Sequence, residues 1–211
     1  MIFISILATL PAHLLTIVAV WAFVTRLGKR PFWQAFGWQW PKNFGPFRAI
    51  GLAVLLLGFG ALMTWLYGGS ETQLDMIVNS SLKARFVTAF LAAVTGPFVE
   101  ELVYRGVVYS GVRKALGTNW AIAIVSILFA GVHVLQYFKN LSVIAVIVLL
   151  SISLTLVRAH SRSLMPSYIM HLTFNGIQAM ILVVQPFVGK STPEAAPAIG
   201  PFIHSLARFI T

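Results

Sequence analysis

Apolar residues lie along this chain in long continuous runs separated by short polar stretches, and they do not alternate with polar residues. A run of about 20 apolar residues has the length of a helix that crosses a bilayer. Membrane-spanning barrels require alternating strands of about ten residues, so the pattern favours helices. Six spanning helices are predicted, at approximately Ile2–Val24, Ala49–Tyr67, Ala84–Lys114, Trp120–Phe138, Leu141–Val157 and Leu164–Val188.

The segment between the first two runs is shorter and richer in aromatic residues. Residues 31–41 read PFWQAFGWQWP, which is too short and too polar to span a bilayer. Trp33, Trp38 and Trp40 suit the headgroup region, where amphipathic rings are enriched. An interfacial aromatic segment is therefore predicted here. After the second run, residues 70–81 are predicted to form a polar loop.

The C-terminal residues differ from the runs before them. Residues 189–200 are rich in proline and alanine and are predicted to form a tail segment, which a last surface helix follows. The chain shows no internal repeat and no second, soluble domain. The predicted fold is therefore all-α, a polytopic transmembrane bundle that forms one domain over residues 1–211, with a motif-bearing core at residues 84–188.

The composition supports a membrane environment. Of the residues, 58% are hydrophobic and 9% are charged, and the mean hydropathy is +0.87. A soluble domain contains about 25% charged residues, so the lipid bilayer is the predicted solvent and partner. The net charge of +10 does not predict nucleic-acid binding, because the basic residues lie at the ends of apolar runs. The absence of cysteine excludes disulfides, thiolate ligands and a cysteine nucleophile.

Lys and Arg residues are distributed unequally between the two sides that the predicted spans define. Ten of the 15 lie on one side and five on the other. Because Lys and Arg are enriched in cytoplasmic loops, this bias predicts that both termini lie outside the cytoplasm. The first residues contain no basic segment, so the first run is predicted to be a retained helix and not a cleaved signal peptide. The predicted location is the inner membrane of a bacterium.

Two adjacent carboxylates, Glu100 and Glu101, lie inside the third predicted helix, where a charged group costs at least a few kcal/mol and is a functional candidate. Their side chains point about 100° apart, so they cannot share one environment. Glu101 precedes Arg105 by four residues and is predicted to pair with it, which leaves Glu100 for chemistry. Pro97 is predicted to kink the helix just before the pair. The alternative interpretation is that both carboxylates only hold helices together.

Polar residues on two further predicted helices complete a candidate site. Phe129 and His133 lie on the fourth helix, and His171 and Asn175 lie on one face of the sixth. The alternative for a lone intramembrane histidine is a hydrogen-bonded packing residue, but two of them with a buried glutamate favour a site. Measured from the predicted helix centres, His133 lies about one or two turns from the depth of Glu100 and His171. The histidines expected to be structural or solvated are His13, which lacks polar company in its helix, His160 and His204.

Three motifs of this candidate site resemble those of the CPBP family, also called the Abi family, which contains CAAX prenyl proteases and bacteriocin-processing enzymes. The motifs are EExxxR at residues 100–105, FxxxH at residues 129–133 and HxxxN at residues 171–175. The resemblance covers about residues 95–176, and each motif lies inside an apolar run. It implies an intramembrane endopeptidase that acts on membrane-associated proteins or peptides.

The resemblance also implies a role for each motif residue. Glu100 is the expected general base that activates water, with assistance from His133. His171 and Asn175 are expected to stabilise the oxyanion. The expected supporting residues are Glu101, Arg105 and Phe129.

Two versions of this mechanism stay open. Glu100, His133 and His171 have the side chains to act as three zinc ligands, with a fourth position open for water. In the other version, Glu100 takes a proton from water without a metal. The sequence permits both.

Other classes of function are weaker alternatives. The chain contains no HExxH motif, no GxSG motif and no aspartate in a predicted span, which excludes zincin-like, serine and aspartyl mechanisms. A proton-coupled transporter is expected to contain repeated halves, and none is found. A non-catalytic membrane partner or immunity protein with the same fold stays open, and the sequence does not identify a substrate.

Overall fold

The computed structural model describes residues 6–68, 73–134, 137 and 140–188. Within these ranges all regular secondary structure is helical and no strand occurs, which confirms the predicted all-α fold. Several predictions fall outside the described residues. They concern the start of the first predicted helix at Ile2, residues 70–72 of the predicted loop, the end of the fourth predicted helix at Phe138, the tail segment 189–200, the surface helix that follows it and His204.

Long apolar helices dominate the described part of the chain. Their bounds are α1 (Thr9–Thr25), α2 (Phe32–Ala35), α3 (Pro46–Tyr67), α4 (Gln73–Ser80), α5 (Leu82–Leu116), α6 (Thr118–Val134), α7 (Leu141–Ser161) and α8 (Leu164–Val188). Among the described residues, four helices are long and apolar enough to cross a membrane, namely α3, α5, α7 and α8. The apolar helices α1 and α6 have 17 residues each, which is the lower limit for a span. The chain is therefore a polytopic helical membrane protein.

Small residues let α3 pack closely against α7 and α8. Ala49 and Ala53 of α3 are fully buried, and they share the main apolar core with Leu154 of α7 and Phe174 of α8. In lipid, close packing replaces the hydrophobic effect as the force that associates helices, and small residues favour it. This core fixes the position of α8, which carries two of the predicted site residues.

The turn between α5 and α6 sets the depth at which their side chains meet. Gly117 adopts a φ of 90°, a conformation that glycine tolerates, and α6 begins at once at Thr118. Glu100 lies 17 residues before this glycine and His133 lies 16 residues after it, so the two antiparallel helices bring them to one depth. The predicted offset of one or two turns is therefore wrong, because α6 runs directly back along α5.

The aromatic segment after α1 packs against the bundle through Phe36. Gly106 of α5 makes this possible, since a Cβ there would lie 2.5 Å from a ring carbon of Phe36. The Phe36 carbonyl accepts from the amide of Leu164 at 3.2 Å, and the Ser163 hydroxyl donates to the carbonyl of Gly37. These bonds attach the segment to the turn between α7 and α8.

The predicted polar loop at residues 70–81 is wrong for residues 73–80, which form α4. Val78 is buried in the main apolar core, so one face of this short helix packs on the bundle. Ser81 then acts as the N-cap of α5, because its hydroxyl accepts from the amide of Ala84 at 3.1 Å. The polar residues here mark a solvent-facing helix side and a helix cap.

Helix α7 extends a turn beyond its predicted end and finishes at Ser161. Arg158, predicted to follow the helix, is consequently buried within the bundle. Its Nε donates to the backbone carbonyl of Arg105 at 3.1 Å, and its guanidinium lies 5.3 Å from the centroid of the Tyr109 ring. A buried acceptor and an aromatic face compensate for the burial of this charge.

Candidate active site

Helix α5, which carries both glutamates, is not α-helical throughout. Leu91–Thr95 and Glu101–Val108 have π-helical hydrogen bonding, and Gly96–Glu100 between them is α-helical. Pro97 accounts for the first π-helical segment, because it has no N–H to donate and its ring crowds the preceding turn. The sequence predicts a kink at Pro97, and the structure has a widened π-helical turn directly before it. Such turns are frequent at functional sites.

The widened turn leaves one carbonyl to be satisfied by a side chain. The amide of Gly96 donates to the carbonyl of Leu91, so it does not donate to Ala92 as in an α-helix. The side-chain amide of Asn175 instead donates to the Ala92 carbonyl at 2.9 Å. Asn175 therefore uses one of its two N–H groups to hold the turn that precedes the glutamates.

His13 of α1 contacts the same turn from another side. Its Nδ1 lies 2.9 Å from Oγ1 of Thr95. The Thr95 hydroxyl donates to the carbonyl of Leu91 at 3.3 Å, so it accepts from the ring N–H of His13. The expectation that His13 is structural or solvated fits this bond, whose partner lies 82 residues away in the chain, where no local spacing could reveal it.

Glu101 lies in a closed cluster of hydrogen-bonded groups. It is completely buried, and its Oε1 accepts from Nη1 of Arg105 at 2.9 Å and from Nδ1 of His171 at 3.1 Å. Arg105 also donates from Nη2 to the Ser151 carbonyl at 3.2 Å. A buried charge is tolerated only with such charge-assisted bonds. The pair between Glu101 and Arg105 that the spacing predicts is thus present.

Glu100 has a more open environment, and its side chain is 30% exposed. Its Oε2 lies 3.7 Å from Nε2 of His171, and its Oε1 lies 4.0 Å from Nε2 of His133. Both distances exceed the length of a direct hydrogen bond. Three of the predicted site residues, from three helices, therefore meet at one point.

The partners of the two histidines fix the orientation of their rings. Nδ1 of His133 lies 2.8 Å from the carbonyl of Phe129, and a carbonyl can only accept. Nδ1 of His171 lies against the carboxylate of Glu101. Each Nδ1 therefore carries a proton, and in the neutral ring the lone pair is on Nε2. Both lone pairs face Glu100.

Phe129 is the aromatic centre of the site. Its ring stacks on His133 at 4.6 Å and meets the edge of His171 at 5.7 Å between centroids. The guanidinium carbon of Arg105 lies 4.2 Å from its centroid. Tyr104, at an unspecified position of the EExxxR motif, packs edge-on against the same ring at 5.2 Å. Phe129 thus orients both imidazoles and covers the buried charge, as aromatic faces can.

The spacing of the donor atoms is wider than that of ligands around a zinc ion. The described residues contain no group of three or more His, Cys, Asp or Glu side chains that could hold a metal. Tetrahedral zinc at 2.0 to 2.1 Å from its ligands would bring the donor atoms to about 3.3 Å from one another. Glu100 lies 3.7 and 4.0 Å from the two Nε2 atoms. The donor atoms suit zinc, but their spacing is too wide.

The helices that carry this site match the model of a known protein family. The family model for type II CAAX prenyl endopeptidases, Rce1-like, matches residues 82–177. The match begins at the start of α5 and contains all three motifs of the site, which confirms the predicted family. Over these residues the chain is similar to the Rce1-like family. Residues 1–81, with α1 and the aromatic segment, lie outside the Rce1-like match. No curated protein and no solved structure matches the chain.

Proposed function

We propose that this protein is an intramembrane endopeptidase that hydrolyses peptide bonds in membrane-associated proteins or peptides. The Rce1-like match supports a protease, since the family model describes endopeptidases. The observation that carries the proposal is the ring orientation at the site. Two imidazoles with Nδ1 held by acceptors direct their Nε2 atoms at one partly exposed carboxylate.

Glu100 acts as the general base in the proposed reaction. A water between Glu100 and His133 transfers a proton to the Glu100 carboxylate as its oxygen attacks the carbonyl carbon of the scissile bond. His133 accepts a second hydrogen bond from this water through Nε2 and orients it. When the C–N bond breaks, the protonated Glu100 returns the proton to the departing amine.

The oxyanion of the tetrahedral intermediate needs donors, because charge develops on the former carbonyl oxygen. His171 is proposed to donate from Nε2 in its protonated state, with Glu101 accepting from Nδ1 at 3.1 Å. Asn175 contributes its second N–H, the first being bound to the Ala92 carbonyl. Arg105 balances the charge of Glu101 and keeps that carboxylate out of the chemistry.

The proposed mechanism is written without a metal, because Glu100 lies farther from the two Nε2 atoms than zinc ligands lie from one another. Zinc held by Glu100, His133 and His171 is the alternative. Cleavage that survives exhaustive chelation, with no metal in elemental analysis of the active protein, is the expected result. Loss of cleavage on chelation, with recovery on adding zinc, would support the alternative.

The proposed setting is the inner membrane of a bacterium with both termini outside the cytoplasm. The Lys and Arg bias supports this orientation. Because the chain has no cysteine, Lys42→Cys introduces a single label at an exposed position. An impermeant thiol reagent is expected to label it only from the cytoplasmic side. Labelling of intact cells from outside would reverse the orientation.

The substrate and the activity can be sought in one experiment. Membrane peptides are compared between cells that express the wild type and cells that express Glu100→Gln at equal levels. Peptides that are cleaved only with the wild type identify substrates. Glu71→Gln, the same chemical change in the acidic stretch before α4, is the matched control and should leave these cleavages intact. Identical peptide sets in all three would favour a non-catalytic partner with this fold.

A further inference from the structure

The seam between α5 and α8 has its own polar contacts, away from the glutamates. Nη1 of Arg85 donates to the carbonyl of Leu182 at 3.1 Å, and the amide of Asn175 donates to the carbonyl of Ala92 at 2.9 Å. Each helix advances by seven residues between these two bonds, in opposite directions. The two bonds therefore fix the antiparallel register of the seam.

Two further polar residues lie midway between these bonds. Thr88 is three residues from Arg85, and Gln178 is three residues from Asn175, so the register puts both at one depth. Oγ1 of Thr88 and Nε2 of Gln178 are buried, and neither has a hydrogen-bond partner among the described residues. An unpartnered buried polar group costs about 1 to 3 kcal/mol. Proteins usually satisfy such groups with ordered water.

The polar groups of the seam continue in both directions. Toward the glutamates, Asn175 lies one helical turn from His171, whose Nε2 faces Glu100. Toward the end of the bundle, Arg85 donates to Oδ1 of Asn79, which is exposed. The α8 positions that follow the seam are spaced by four, three and four residues, which keeps them on one helix face. They are His171, Asn175, Gln178 and Leu182.

We propose that this seam is a hydrated path that brings water to Glu100 from the end of the bundle that carries Arg85. Its length is about 22 Å, since 15 residues of α5 separate Arg85 from Glu100 at 1.5 Å each. The inference rests on the proposed function, because hydrolysis consumes one water for each bond cleaved. A peptide bound at the exposed side of Glu100 displaces water there, so a second route supplies the reaction while substrate is bound.

Thiol labelling tests the hydration of the seam without any substrate. Thr88→Cys and Gln178→Cys are made one at a time in the full chain, which has no native cysteine. Asn79→Cys is the exposed control, and Leu150→Cys, buried in the apolar core, is the matched buried control. The probe is a small, charged methanethiosulfonate reagent.

We expect the two seam cysteines to react at least about tenfold faster than the cysteine at Leu150, because the thiolate forms only where water reaches it. Equal, slow reaction at Thr88, Gln178 and Leu150, with fast reaction at Asn79, would overturn the path. Monodisperse elution of every variant confirms that each is folded. Labelling does not depend on cleavage, so a hydrated seam in an inactive protein would contradict the proposed function and leave the path standing.

A second set of variants tests the use of the water. Thr88→Val and Gln178→Leu remove the polar groups at nearly constant volume, and turnover is expected to fall several-fold with KM unchanged. Thr88→Ser keeps the hydroxyl and should restore turnover. If Thr88→Val and Gln178→Leu both cleave at the wild-type rate, the seam does not supply the reaction.

Discussion

Glu100 and Glu101 are adjacent in the chain, yet one carboxylate is held by close bonds and the other is nearly free. Oε1 of Glu101 has donors at 2.9 and 3.1 Å, and the residue is fully buried. The imidazole nitrogens nearest to Glu100 lie at 3.7 and 4.0 Å, and 30% of its side chain is exposed. The angle of about 100° between successive side chains on a helix separates them.

The difference indicates that the two carboxylates have different roles, one structural and one in proton transfer. Glu101 already accepts two charge-assisted bonds, so it holds Arg105 and His171 in position. Glu100 lies near the end of α6 and His133, and its side chain is partly exposed. A carboxylate with close charge-assisted bonds gives stability, and one without them can exchange a proton.

The largest effect on stability is expected from Glu101→Gln. The change leaves the guanidinium of Arg105 buried without its counter-charge, and breaking a buried pair costs roughly 3 to 5 kcal/mol. The bond to Nδ1 of His171 is weakened at the same time. The measurement is the melting temperature of the purified protein in detergent, together with the yield of folded protein.

The double variant Glu101→Gln with Arg105→Met separates the loss of charge balance from the loss of hydrogen bonds. No orphan charge remains in it, so much of the stability should return. A double variant as unstable as Glu101→Gln alone would show that the bonds to His171 and Ser151, and not the charge pair, stabilise this region.

A smaller loss is expected where α5 meets the aromatic segment. In Gly106→Ala the new Cβ would lie 2.5 Å from the ring of Phe36, and overpacking of this kind costs about 1 to 3 kcal/mol. Gly111→Ala is the matched control, because nothing lies within 4 Å of its Cβ and alanine favours a helix. Adding Phe36→Leu to Gly106→Ala should recover part of the loss. Equal melting temperatures for the two alanine variants would contradict this packing.

The smallest loss is expected at the turn before the glutamates. His13→Leu removes one hydrogen bond to Thr95, worth about 1 kcal/mol. Activity should fall modestly, because the turn that supports Glu100 loses one of its contacts. The exposed His160→Leu is the control and should change neither melting temperature nor activity. A His13→Leu variant with unchanged stability would show that the contact contributes nothing.

Periodicity predicted most of the helices, and motif spacing predicted one of the side-chain pairs. Continuous apolar runs identified the helices, and the four-residue spacing of Glu101 and Arg105 predicted their pair. These inferences succeed because they depend on local geometry. The loop prediction for residues 73–80 failed because packing on the bundle, including that of Val78, stabilises this helix of eight residues, and local geometry does not reveal such packing.

Contacts between distant segments could not be predicted. The depth of His133 depended on how tightly Gly117 joins α5 to α6, which the pattern of apolar residues leaves open. The bond from Asn175 to Ala92 depends on a π-helical turn, and the partners lie 83 residues apart. The burial of Arg158 likewise required a carbonyl on another helix. A single sequence contains no signal for such pairings.

The roles proposed for the two glutamates are tested most directly by the turnover of Glu100→Gln on a peptide that the wild type cleaves. The melting temperature of the variant is measured alongside. The amide keeps the size of the side chain but cannot take a proton from water. Turnover should fall by about 10² or more, as the loss of a general base implies. The melting temperature should stay the same or rise, since an amide is cheaper to bury than a carboxylate. Wild-type turnover, or a variant that is unstable while Glu101→Gln is stable and inactive, would show that the two glutamates have the opposite roles.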